Sequence, residues 1–280
     1  MADCTGSPQM PLTKFQTEVM EILAVNRCEA SHVAGGLVLN APPDSARFSD
    51  DFDFFHDAIE DLARHSEMDV AALEAAGFQV ERVDRCGVWK EGDSFRKAIV
   101  RRADDEVELD WAHDAAWRFF PIEHDPVLGW RLHLFDMAVN KALALSARSE
   151  TRDYIDILEL GRIFPLEAIV WAACGKDVGF SPLFLLKMML RFANLNPGSL
   201  AEIQARHLDP IEMKKTWLGM ADRADAEITR IADSQPDLPI GIAFVDEIGA
   251  PRWIGERPDL RPHAISLRGC WPVARNLPTL

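Results

Sequence analysis

Apolar residues at Leu12, Phe15, Val19, Ile22 and Leu23 fall at helical spacing and predict a first helix from Leu12 to about Cys28. His32 to Ala34 reads as a short strand broken by Gly35-Gly36, with Leu37 to Asn40 opening a short helix. The prolines of "NAPPDSA" (40–46) predict a loop. Asp51 to Phe55 then alternates with period two, as a half-buried strand does. One or two helices are expected from about Ala58 to Ala76, ending before Gly77. Three strand-like runs follow: "FQVERV" from Phe78, "SFRKAIVRR" from Ser94 and "EVELDWA" from Glu106 to Ala112.

From Leu132 the period changes. "LHLFDMAVNKALALSA" and "RDYIDILELGRI" read as amphipathic helices, and helical pattern recurs at Pro165–Cys174, Pro182–Ala193 and roughly Asp209–Ala232. After Gln235 the chain is rich in proline and carries one strand-like run, "IGIAFVDE". These elements predict an α+β protein: a mixed sheet with helices in residues 1–125, a helical domain in 126–234, and a proline-rich tail in 235–280.

Composition narrows the chemistry. Hydrophobic residues make up 48% of the 280, enough for real cores. The net charge is −15, from 45 acids against 30 bases, so a nucleic acid would have to meet a local basic patch. A basic protein partner, or a small anion held by a metal, suits that balance better. Five scattered cysteines without a Cys-x-x-Cys pair read as reduced thiols. No basic-then-apolar leader and no long uncharged apolar run is present, so a cytoplasmic protein without a membrane span is expected.

The acids of "FSDDFDFF" sit where the pattern says buried strand. Alternate side chains of a strand share a face, which puts Asp51 and Asp53 together and Phe52 and Phe54 opposite. At a rise of about 3.3 Å per residue the two carboxylates lie roughly 6–7 Å apart. Two ionised carboxylates in a half-buried position repel and lose hydration unless a cation compensates, and all-oxygen ligands suit magnesium. "VELDW" repeats the geometry, with Glu108 and Asp110 on one face and Val107, Leu109 and Trp111 on the other. Were Asp110 to lie beside Asp51 and Asp53, three carboxylates would serve a two-metal centre.

Two further features frame those strands. Glycines at 35 and 36 let backbone N–H groups approach a phosphate, and a helix start favours the anion. In "DMAVNKALALSARSETRDYIDILEL", Lys141, Leu145 and Arg148 share a helix face at i, i+4 and i+7. Such a cation stripe offers contacts to a triphosphate, with Asp153 and Asp156 able to orient it.

Gly35-Gly36, "RFSDDFDFF" from Arg47, "VELDW" from Val107 and "KALALSARSETRDYIDILEL" from Lys141 together resemble the AbiEii-type abortive-infection toxins. These belong to the DNA-polymerase-β-like nucleotidyltransferases, and the resemblance spans roughly Ser31 to Leu160. It implies a nucleotidyltransferase fold and transfer of a nucleoside monophosphate from an NTP to a hydroxyl, with tRNA or another RNA as a candidate acceptor. It further implies Asp51, Asp53 and Asp110 as ligands of Mg2+ or Mn2+, Asp110 also helping to deprotonate the acceptor. Lys141 would contact phosphate or base, with Arg148, Arg152, Asp153 and Asp156 around it. Gly35 and Gly36, aided by Arg47 and Ser49, would grip the triphosphate. An antitoxin protein would be the partner, as relatives act in toxin–antitoxin pairs.

The chain departs from the family at the glycine turn, where Gly36 and Leu37 stand in place of hydroxyl residues. The departure admits a nucleotidyltransferase-fold protein that binds a nucleotide or partner without turnover. Asp51-x-Asp53 also admits a glycosyltransferase holding a manganese–nucleotide-sugar. For RNA, the basic patches on offer are Arg96-Lys97 with Arg101-Arg102, and Lys214-Lys215.

Overall fold

A computed structural model describes residues 12–40, 45, 47–49, 51–83, 89–148, 150–191, 203 and 208–272. Its first elements are α1 (Lys14–Ala24), β1 (Ser31–Ala34), α2 (Gly35–Asn40), β2 (Asp51–His56) and α3 (Ile59–Ala75). Strands β3 (Gln79–Val83), β4 (Phe95–Arg102), β5 (Asp105–His113), β6 (Trp117–Arg118), β7 (Glu123–Asp125) and β8 (Gly129–Arg131) follow. Then come α4 (Leu134–Ala147), α5 (Thr151–Leu160), α6 (Leu166–Ala173), α7 (Pro182–Arg191) and α8 (Pro210–Ser234). Short strands β9 (Ile242–Val245), β10 (Pro251–Arg252), β11 (Arg261–Ala264) and β12 (Ser266–Leu267) complete the described chain. The loop expected at "NAPPDSA" falls largely outside the described residues.

The chain divides into two units: the first runs to Ala116 and includes Ile122–Leu132, the second comprises Trp117–Pro121 and most of the chain from His133 onward. In the first, seven strands form one sheet in the order β3-β4-β5-β2-β1-β8-β7. β2 and β5 pair in parallel, as do β1 and β8, while the other neighbours are antiparallel. The α+β architecture with a mixed sheet is therefore as the sequence predicts.

Alternation decides which face is covered. Phe52, Phe54, Val107, Leu109 and Trp111 point to one side, where α1 and α3 pack with Val19, Leu23, Leu62, Val70 and Leu73. Helix α1 starts at a capping box, Thr13 and Gln16 each satisfying the other's backbone N–H. It ends short of the predicted Cys28 because Arg27 turns inward, donating to the Leu23 carbonyl and pairing with Asp69 of α3 at 2.5 Å. Trp111 Nε1 donates to the same carboxylate at 2.8 Å, and Arg27 donates to Ser31 Oγ at 2.8 Å. The Ser31 hydroxyl lies 3.0 Å from Nε2 of His56, whose Nδ1 faces the Ala112 carbonyl at 3.3 Å. This buried chain of partners satisfies each group with His56 neutral.

In the second unit, α4 packs against α5, α6 and α7, and α8 against α6 and α7. The tail strands β10-β9-β11 form their own sheet, seated on α6, where Trp171 meets Trp253 at 5.7 Å and donates to the Pro239 carbonyl. No helix among the described residues is long and apolar enough to cross a membrane.

Candidate active site

Strand β2 places Asp51 and Asp53 half-buried on the face opposite the α1–α3 core, with Phe52 and Phe54 fully buried beneath. β5 lies directly alongside. Its register sets Asp51 beside Glu108 and Asp53 beside Asp110, so in a parallel pair all four acids share one face. On the other flank β1 runs antiparallel, with Ala34 opposite Asp53.

That pairing brings Gly35 against the Asp53 side chain. Gly35 has φ +64°, and a Cβ there would overlap Asp53 Oδ2 and lie 2.5 Å from its Cγ. The glycine pair is therefore not a turn ahead of a helix beginning at Leu37. Helix α2 starts at Gly35 itself and has only six residues. Gly36 is crowded for a different reason: a Cβ would come within 2.7 Å of Arg47 Nη2 and 2.9 Å of Ser49 Oγ. A side chain at 36 would require the flexible ends of Arg47 and Ser49 to give way. Ser49 Oγ donates to the Asp51 carbonyl at 3.1 Å and lies 3.2 Å from Asp51 Oδ1. Gln16 Nε2 fixes the Ser49 carbonyl at 2.9 Å, and Arg47 donates to the Phe48 carbonyl at 3.0 Å. Asn40 holds the Gly36 carbonyl at 2.6 Å.

Lys97 enters from β4, directly opposite Asp110 in register. Its Nζ is 2.6 Å from Glu108 Oε2 and 3.3 Å from Asp110 Oδ1. Oδ1 of Asp110 is buried and accepts no well-formed hydrogen bond, so the contact is ionic. Burial pushes the Asp110 carboxyl above the ordinary range; Lys97 opposes that shift, while the negative charges of Asp51 and Glu108 add to it. Burial alone would lower the Lys97 ammonium, but Glu108 and Asp110 outweigh it and raise it.

Strand register brings the three acids together, yet among the described residues no three His, Cys, Asp or Glu side chains stand as a set that could hold an ion. Asp110 faces Lys97, and Asp51 lies against Ser49. Lys97 itself escaped the sequence reading as a site residue. The signal was its alternation with Arg96, but its partner is fixed only by cross-strand pairing.

The cations of "SFRKAIVRR" are paired with acids of this chain. Arg96 is buried over Trp89, donating to Ser66 and Glu67 on α3. Arg101 pairs with Glu81 and Glu106, and Arg102 with Glu18. Each cation meets an acid that the strand register places across from it or that a neighbouring element supplies. Lys214 and Lys215 do remain exposed on α8, Lys215 3.8 Å from Glu212.

In the second unit, Lys141 of α4 is buried between Asp153 (2.9 Å) and Asp156 (2.8 Å) of α5. Burial would lower its ammonium, but the two aspartates more than reverse that. Arg148 does not continue the α4 face as its spacing predicts. The helix ends at Ala147, and Arg148 is its extended C-cap, bending back so that Nε meets Asp153 Oδ2 at 2.6 Å. Although burial acts to raise the Asp153 carboxyl, Arg148 and Lys141 hold it below the ordinary range. Arg152 lies half-buried in the first turn of α5. The two aspartates thus pair with Lys141 and Arg148, and the Lys141 charge is taken up within the α4–α5 pair.

No family model and no curated protein matches the chain. Solved structures share its outline at low similarity. JHP933 from Helicobacter pylori is 20% identical over 79% of this chain and 95% of its own, with a TM-score of 0.45. A candidate nucleotidyltransferase from H. pylori is 20% identical over 79% and 99%, with a TM-score of 0.48. The nucleotidyltransferase toxin MenT4 from Mycobacterium tuberculosis is 13% identical over 74% and 91%, with a TM-score of 0.41. Likeness at this level assigns the chain neither a family nor an activity.

Proposed function

We propose that this chain is a divalent-metal-dependent nucleotidyltransferase that moves a nucleoside monophosphate from an NTP to an acceptor hydroxyl. The observation that carries the reading is the parallel register of β2 and β5, which lines up Asp51 and Asp53 with Glu108 and Asp110 on one face. Half-buried carboxylates so placed raise one another's energy, and a hard cation removes that cost. Carboxylates on one face supply the oxygen donors that such an ion takes. Asp110 Oδ1 is buried without a hydrogen bond, and Gly35, lacking a Cβ, leaves room for the Asp53 carboxylate. Asp51, Asp53 and Asp110 would be the ligands.

Bound Mg2+ or Mn2+ would neutralise these acids and polarise the phosphate under attack. Asp110, its carboxyl raised by burial, is the group suited to take the proton of the acceptor hydroxyl. The acceptor oxygen bonds to the α-phosphorus as the bond to pyrophosphate breaks, and pyrophosphate carries away the displaced negative charge. Arg47 and Ser49, packed on Gly36, would meet the triphosphate. The motif resemblance extends the proposal to an RNA acceptor such as tRNA and to a toxin held by an antitoxin. A net charge of −15 suits a basic antitoxin.

The test is incubation with magnesium, labelled NTPs and total cellular RNA. Transfer of label by the wild type and its loss in Asp53→Ala are expected. A wild type that binds no NTP at millimolar magnesium would overturn the reading. The contact of Lys97 with Asp110 favours one other reading, a nucleotide-binding protein without turnover, whose mark is NTP binding with no labelled product.

A further inference from the structure

Lys97 occupies ground that the proposed reaction needs. It stands opposite Asp110 in the β4–β5 ladder and touches two acids of the shared face, Glu108 at 2.6 Å and Asp110 at 3.3 Å. The two acids differ in setting: the Glu108 side chain is 50% exposed and Asp110 only 19%. The shorter contact goes to the exposed acid and the longer one to the inner acid. An ammonium on a flexible four-carbon stem can therefore give up Asp110 while keeping Glu108. Neither charge is stranded by that movement.

We propose that Lys97 is an internal counter-cation that holds Asp110 in the metal-free protein and must withdraw onto Glu108 before a divalent ion is bound. The inference rests on the nucleotidyltransferase reading, since it takes Asp110 as a metal ligand. An ammonium 3.3 Å from Asp110 Oδ1 and a divalent cation on the same carboxylate repel each other at short range. Metal affinity is therefore reduced by the strength of the Lys97–Asp110 contact. Lys97 is a positioning residue, and its removal strengthens binding where removal of a ligand weakens it. The arrangement also keeps the acid face from being left uncompensated when no metal is present.

The experiment is a Mn2+ titration of the full chain, read from the free-ion electron paramagnetic resonance signal with no nucleotide present. Lys97→Met removes the charge and keeps most of the stem, and should bind Mn2+ about tenfold more tightly, equivalent to about 1.4 kcal/mol. Lys97→Gln serves the same end should the methionine variant fold poorly, which thermal unfolding will reveal. Lys97→Arg should stay near the wild type. Arg101→Met removes an equal charge four positions along the same strand and should change affinity by less than twofold, which separates displacement from general attraction. Asp110→Asn should weaken binding in every background and abolish the gain from Lys97→Met. If Asp110→Asn weakens binding but Lys97→Met and Lys97→Gln match the wild type, this inference fails and the metal-site reading survives. If Arg101→Met gains as much as Lys97→Met, the inference also fails. If the wild type takes up no Mn2+ in the millimolar range, and Lys97→Met takes up none either, both fall.

Discussion

Gly35→Ala tests the closest approach in the site. At φ +64° an L-residue is disfavoured by about 1–2 kcal/mol on backbone grounds alone. The added Cβ would also overlap Asp53 Oδ2, 2.5 Å from Cγ and 2.8 Å from Cβ of that residue. Asp53 lies on β2, paired on both flanks by β1 and β5, so its backbone cannot retreat. Its side chain must rotate instead, and crowding of this kind adds about 1–3 kcal/mol. The expected total is about 2–5 kcal/mol. Gly77 supplies an internal reference, with φ +85° and no atom within 4 Å of an added Cβ. Gly77→Ala should therefore lose only the backbone part, about 1–2 kcal/mol. Asp53→Ala removes the overlapping carboxylate, so Gly35→Ala should cost about 1–2 kcal/mol less in that background. Urea unfolding followed by tryptophan fluorescence gives each value from the midpoint at constant slope. Equal losses for Gly35→Ala and Gly77→Ala, or no coupling to Asp53→Ala, would refute the reasoning.

His56, whose imidazole burial pushes down to about 3 from 6.5, with Arg27 adding to the effect, is neutral in the fold and charged when unfolded between those values. The unfolded chain then binds the extra proton, so this contribution is complete above pH 6.5 and shrinks as pH falls, by roughly 3 kcal/mol at pH 4.5. Asp110 and Glu167, raised chiefly by burial, act with the opposite sign, so the check is the wild-type minus His56→Gln difference in unfolding free energy across pH 7 to 4.5. A difference that does not change with pH would contradict the assignment. Lys141→Met leaves Asp156 buried without that cation and should cost about 3–5 kcal/mol by urea titration. Adding Asp156→Leu should recover most of it; a second loss of similar size would show that the pair is not the source.

The two acid-bearing strands were legible because each is half-buried, and such a strand writes its two faces into the chain as a period of two. What the period cannot convey is which strands lie together. The Asp53–Asp110 register joins residues far apart in sequence, and the motif resemblance alone suggested their meeting. The same ignorance of pairing made Arg96, Lys97, Arg101 and Arg102 look like a basic surface, although Lys97 faces Asp110 and Arg101 faces Glu106 across the ladder. Arg148 misled for a local reason: spacing presumes an unbroken helix, and the helix stops one residue earlier. Strands β6, β7, β8, β10 and β12 are two or three residues long, too short to show any alternation. Asp153 and Asp156 were legible as partners for Lys141 because helical spacing places them one turn apart.

The partnership of β2 with β5 has a bearing on when the protein first becomes competent. A nascent chain that has emerged only as far as His56 carries Asp51 and Asp53 with no strand on their open flank. A local hairpin such as β4–β5 can zip early, because only Ala103 and Asp104 join its strands. Insertion of β5 beside β2 closes a far larger loop and comes late. A copy that ends before β5 would lack Glu108 and Asp110 beside Asp51 and Asp53.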